Sequence, residues 1–97
     1  MPHYEDGTPA TVGDHVVGKT YNLGGKVISG TLISITPGAD SCNCIVAYAE
    51  IIDPLNLPYG STPAVVTRNA QNELVTVLIK TDYGEVKALR KVGTEQQ

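Results

Sequence analysis

Four side chains titrate near neutrality or bind soft metals: Cys42, Cys44, His3 and His15. The cysteines form a C-x-C pair, and on a strand residues i and i+2 point to one face, a poor geometry for a mutual disulfide. Two thiols and two imidazoles are a zinc set in kind, but neither histidine stands at a spacing that metal sites use, so no metal is expected. Cys44 instead falls in phase with Val46 and Tyr48, where a reduced, buried Cys acts as a small hydrophobe. Asp14-His15 reads as a turn residue beside an exposed His rather than a catalytic dyad, and Glu5-Asp6 as part of a solvated arm. There is no G-x-S-x-G, Walker A or H-E-x-x-H motif. The sequence therefore predicts no catalytic residue, no cofactor and no enzyme.

Residues suited to recognition are better represented. Gly24-Gly25-Lys26 has the makings of a phosphate cradle, with backbone N–H groups and one ammonium, although two glycines are explained more simply by a turn. Tyr21, Tyr59 and Tyr83 stand next to Asn22, Gly60 and Gly84, so all three are expected in loops. A loop Tyr presents apolar area with a polar tip and is enriched at recognition surfaces. Each alone is more readily a local packing anchor. Gathered at one end of a barrel, they become a binding site, with Arg68 or Arg90 as charged partners. The candidate partner-binding residues are thus Tyr21, Gly24, Gly25, Lys26, Tyr59, Arg68, Tyr83 and Arg90.

Strands must position these residues. Residues 26–36 (KVISGTLISIT) and 43–52 (NCIVAYAEII) are joined by TPGADSC, whose Pro37, Gly38, Asp40 and Ser41 favour a turn; together they read as a long hairpin. In its first arm Ile28 and Leu32 share one face, and Val27, Ile33 and Ile35 the other. That change of phase near residues 30–32 predicts a bulge or sharp bend. In the second arm Ile45, Tyr48, Ala49 and Ile52 also fit helical spacing, but the β-branched content favours a strand. Ahead of the hairpin, residues 1–13 form an arm anchored by Tyr4, and a short strand through Val16 and Val17 is ended or bulged by Gly18. Residues 53–63, with three Pro and one Gly, read as an irregular loop. A second hairpin follows, AVVTR and ELVTVLIK around a four-residue NAQN turn, with Val75, Val77 and Ile79 on one apolar face. Residues 81–84 are expected to turn the chain into a last short strand, or a strand with a helical turn, and residues 93–97 to fray.

Composition agrees. Ninety-seven residues, 41% hydrophobic and 18% charged, fit one folded domain spanning residues 1–97 rather than a disordered chain. With no Phe or Trp, its core must pack from Val, Ile, Leu and Ala. The expected fold is all-β: a small, partly open barrel of five to six antiparallel strands with long loops. A formal charge of −3 weighs against a generic nucleic-acid binder. Residues 1–63 carry two Lys against six acids (−4), and residues 64–97 five bases against four acids (+1), which permits only a modest basic patch. The opening MPHYEDG is acidic and polar where a signal peptide is basic and then apolar, and no apolar run reaches the ~18–20 residues that span a bilayer. A soluble, cytoplasmic protein with no membrane contact is expected.

Across residues 12–51, VGDHVVGK, GGKVISGTLISITPG and NCIVAYAEI resemble an SH3-like small barrel of the KOW type, in which a Gly-Asp-x-Val strand leads into a Gly-x-Val…Gly-x-Leu strand and a hairpin. That resemblance implies contacts made by loops. The acidic balance departs from RNA-binding members of that type. DGTPATVGDHVVGKTYN, PGADSCN and DYGEVKALRKV are also similar to small bacteriophage- and prophage-encoded proteins. This second resemblance implies a host-cytoplasmic accessory, anti-defence or virion-associated role. Three functions are thus expected in order: a binding module that engages a host protein or sequesters a small nucleotide-like ligand through its Tyr-bearing loops; a KOW-like nucleic-acid binder using Lys80, Lys87, Arg90 and Lys91; and a virion or assembly component that forms homo-oligomers through an exposed strand edge.

Overall fold

The computed structural model describes residues 2–36, 43–53 and 64–92. The expected turn at Pro37, most of the Pro-rich loop with Tyr59, and the tail 93–97 lie outside the described residues. Six strands form: β1 (His15–Lys19), β2 (Val27–Ile35), β3 (Cys44–Ile52), β4 (Ala64–Arg68), β5 (Leu74–Gly84) and β6 (Leu89–Lys91). They make one open sheet in the order β4-β5-β3-β2-β1-β6, with β4 and β6 at its edges. The pairs β1/β2, β1/β6, β2/β3 and β4/β5 are antiparallel. The protein is all-β as expected, and residues 44–52 are strand, not helix. The chain forms two compact units, Met1–Tyr48 with Thr81–Gln97, and Ala49–Lys80.

In the first unit the register assembles the core. Val16 lies opposite Gly30, Gly30 opposite Tyr48, Leu32 opposite Val46, and Gly18 opposite both Ile28 and Leu89. Directly opposed residues share a face, so one face gathers Val16, Leu32, Val46 and Leu89. Tyr4, Cys44 and Val86 complete the buried cluster, with Ala10, Ile28 and Ile35 packed against it. Val86 reaches it from a single 3-10 turn, Val86–Ala88, whose first N–H donates to Asn43 Oδ1 at 2.8 Å.

The expected bulge is present, slightly beyond its predicted place. The register shifts between Leu32 and Ser34, so that Ile33 is the extra residue; Leu32 pairs with Val46, yet Ile35 pairs with Cys44. Three residues on β2 thus match two on β3, and Leu32 and Ile35 face the same way. This corrects the grouping of Ile35 with Val27 and Ile33, which are exposed while Ile35 packs on the core. Gly18 neither ends nor bulges β1. It sits inside the strand, where a Cβ would lie 2.7 Å from the Ala88 carbonyl oxygen and 2.8 Å from Leu89 Cδ2. Gly30 is pressed in the same way, against the Ala47 carbonyl and Val46 Cγ1.

The N-terminal arm is pinned as expected at Tyr4, which is buried. Its hydroxyl donates to Asp14 Oδ2 at 2.6 Å, and the Thr11 N–H donates to the same oxygen at 3.0 Å. Lys91 Nζ stands 3.7 Å from Asp14 Oδ1. Burial opposes the Asp14 charge, but the Tyr4 hydroxyl, the Thr11 N–H and the Lys91 ammonium outweigh it and hold the carboxyl below its ordinary range. Burial, reinforced by the Asp14 charge, pushes the Tyr4 phenol well above its ordinary value, so it stays a donor.

In the second unit β4 pairs with β5 from Ala64 opposite Leu78 to Arg68 opposite Leu74. The connection takes five residues rather than four, because Glu73 closes it. Asn69 Oδ1 accepts the N–H groups of Gln71 and Glu73, and the Asn69 N–H donates to the Glu73 carbonyl. The anticipated apolar face of Val75, Val77 and Ile79 is not what forms. Neighbouring Val77 and Leu78 are both buried while Ile79 is 38% exposed, so β5 is covered on both faces at mid-length. Residues 81–84 continue β5 as strand rather than turning.

Gly30→Ala tests the close approach of β2 to β3. The new methyl must displace backbone as well as the Val46 side chain, and overpacking of this kind costs about 1–3 kcal/mol. Chemical denaturation should show a loss of that size, whereas Ala at solvent-facing Gly24, where a Cβ meets nothing within 4 Å, should show only the smaller strain of its positive φ.

Candidate functional site

Beyond β1 the chain turns through residues 21–25, with φ of 62° at Gly24 and 83° at Gly25. The Tyr21 N–H donates to the Tyr83 carbonyl oxygen at 3.0 Å, which ties this turn to the end of β5. Asp82 fastens the same junction. The Asn22 N–H donates to its Oδ2 at 3.0 Å, Asn22 Nδ2 donates to Oδ1 at 2.7 Å, and the Tyr83 N–H donates to Oδ1 at 2.9 Å. Strand alternation places Asp82 and Gly84 inward and Tyr83 outward: Asp82 is 6% exposed, Tyr83 54%, and Tyr21 on the bonded turn 47%. Two exposed phenol rings thus stand on neighbouring, hydrogen-bonded backbone positions.

Burial opposes the Asp82 charge, but the Thr20 hydroxyl, both Asn22 donors and the Tyr83 N–H outweigh it, and its carboxyl sits below the ordinary range. The buried Thr20 Oγ1 makes no bond of full hydrogen-bond geometry among the described residues. Gly84 leaves room for Thr20, since a Cβ there would lie 3.3 Å from Thr20 Cγ2.

Of the residues proposed from sequence, Tyr21 and Tyr83 come together, and Gly24, Gly25 and Lys26 follow on the same turn. The Lys26 N–H is taken by the Leu23 carbonyl at 3.1 Å, which accounts for the two glycines as turn formers. Tyr83 is on a strand, not in a loop. Arg68 belongs to the second unit and folds back on its own turn, with Nη1 2.7 Å from the Asn72 carbonyl oxygen. Arg90 lies on β6 opposite Val17 and pairs with Glu5 at 3.3 Å. Tyr59 lies outside the described residues. Of the four bases suggested for nucleic acid, Lys80 meets Glu50, Arg90 meets Glu5 and Lys91 meets Asp14.

Sequence reasoning missed Asp82 and Asn22, which are 60 residues apart, because D-Y-G read as a local turn signal. Among the described residues no group of three or more His, Cys, Asp or Glu could hold a metal ion, and no helix is long and apolar enough to cross a membrane. Compared with protein-family models, curated proteins and solved structures, the chain finds no match.

Removing the Asp82 carboxylate should loosen the junction selectively. In Asp82→Ala, amide hydrogen exchange at Tyr21, Asn22 and Tyr83 should accelerate about tenfold or more, the scale of hydrogen bonds to a charged acceptor, while Val46 stays protected. The sign with pH follows from the lowered carboxyls of Asp14 and Asp82. Their stabilisation is fully present above the ordinary value of 3.8 and is lost as pH falls through the lower folded values. Acid denaturation should therefore begin below about pH 4, and Asp82→Ala should flatten that limb.

Proposed function

We propose that the protein is a non-enzymatic binding module whose partner docks on the Tyr21/Tyr83 surface. The observation that supports this is the bonded pair itself: the Tyr21 N–H on the Tyr83 carbonyl, held by Asp82, with both rings exposed. Tyr gives large contact area for the freezing of two side-chain torsions, and a fixed backbone lowers the ordering cost of binding further. The partner is a host protein or a small nucleotide-like ligand, in keeping with a phage-type accessory or anti-defence role in the host cytoplasm and an SH3-like, KOW-type barrel. The carboxylate partners of Lys80, Arg90 and Lys91 weigh against the nucleic-acid alternative. The test is a capture from host lysate with the tagged protein, repeated with Tyr21→Ser/Tyr83→Ser and separately with Tyr59→Ser. Aromatic hot spots cost 2 kcal/mol or more, so the double variant should lose about thirtyfold or more in affinity while its circular dichroism is unchanged. Equal capture by a folded double variant overturns the reading.

A second reading, self-association, is favoured by the edge strand β4. Val66 and its near neighbour Leu74 are each 65% exposed, and Val65 is exposed on the other face. The strand carries no Lys or Pro to blunt its edge. Antiparallel pairing of two copies about Val66 would set Arg68 against Ala64 of the second copy, so no like charges meet. Light scattering should then show a dimer that Val66→Lys converts to monomer. A monomer at high concentration removes this reading.

A further inference from the structure

Val17, Lys19, Val27 and Arg90 share the face of the sheet opposite the core. Lys19 is paired with Val27 and Val17 with Arg90, each one residue out of phase with core-facing Val16, Ile28 and Leu89. Over them lies an open depression of about 400 Å³, flanked by Glu5 and Ala88, within the usual range for small-molecule sites.

Both flanks are held. The Glu5 N–H donates to the Leu89 carbonyl at 2.9 Å and its carboxylate meets Arg90 Nη2 at 3.3 Å. Ala88 ends the 3-10 turn, its N–H on the Glu85 carbonyl at 3.0 Å, and leads directly into β6 beside β1. The floor is apolar, from Val17 and the largely exposed Val27. The lining carries two cations and one carboxylate, and the Asp6 carboxylate also acts on Arg90, so Lys19 is the cation left to meet an anion. Arg90 is oriented by Glu5, whereas Lys19 has no ion-pair partner among the described residues.

We propose that this depression binds a small amphipathic anion. Its carboxylate or phosphate head meets the Lys19 ammonium, and its flat apolar body lies on Val17 and Val27 against the Arg90 guanidinium. A guanidinium face stacks on planar groups and is weakly hydrated, and a lone ammonium is a compact counter-charge for the head. The residues are distinct from the Tyr21/Tyr83 surface, so the two sites stand or fall separately.

The test is titration of the ¹⁵N-labelled full chain at low salt with benzoate, phenyl phosphate and uncharged benzyl alcohol. Amide shifts should concentrate at Gly18, Lys19, Val27, Ala88 and Arg90 for the anions, with benzyl alcohol markedly weaker. The tighter of the two anions assigns the head as carboxylate or phosphate. Lys19→Gln should weaken anion binding about threefold or more, the scale of a partly exposed charge pair. Lys80→Gln, an equal change of net charge in the other unit, should leave it unchanged. Benzyl alcohol binding as well as benzoate, shifts scattered over the surface, or equal weakening by the two lysine variants overturns the proposal.

Discussion

A strand that stays in phase presents every second residue to one side. β2 has to serve the core both at Leu32, beside Val46, and at Ile35, beside Cys44, which an unbroken strand cannot do. The extra residue at Ile33 resolves the conflict by letting three residues of β2 span two of β3. The step brings Ile35 to the face where Leu32 and Val46 pack with Tyr4 from the arm and Val86 and Leu89 from the C-terminal region. The glycines serve the same end. With no Phe or Trp to fill space, the core closes by bringing backbone near backbone, and Gly18 and Gly30 are where it does so.

Much of this was legible in the residues because it is local. The alternation of apolar side chains located the strands, and the phase break announced the bulge to within a residue or two. Its placement was missed because the apolar pattern alone does not say whether Ile33 or a neighbour is extra; the cross-strand partners decide that. β5 was misread for two reasons. Val77 and Leu78 are buried on opposite faces, which hides the alternation, and T-D-Y-G carries turn-forming types whose chemistry is satisfied elsewhere. Tyr21 and Tyr83 were legible as aromatics beside turn residues, although Tyr83 lies on a strand and not in the expected loop. That Tyr21 and Tyr83 are bonded neighbours was not, because the contact joins residues far apart in the chain.

Asp14 and Asp82 play matching parts at different places. Each is a carboxylate of low exposure that collects donors from separate segments: Tyr4, Thr11 and Lys91 for one, Asn22 and Tyr83 for the other. A carboxylate accepts several hydrogen bonds at once, so a single residue does the joining that a larger apolar contact would do in a domain rich in aromatics. The two junctions leave different surfaces behind. At Asp14 the aromatic ring is turned into the core, and at Asp82 two rings are turned out.

The docking of Glu5 on Leu89 and Arg90 bears on how the chain folds. These partners are 85 positions apart for the ion pair, and the same neighbourhood supplies Val86 and Leu89 to the core. Closing so long a segment costs only slowly growing entropy, but topologies dominated by distant contacts search for them slowly. During synthesis the inward faces of Val16, Leu32 and Val46 therefore remain without part of their cover until residues 86–91 have been made. The Glu5 contacts of the N-terminal arm likewise wait on Leu89 and Arg90.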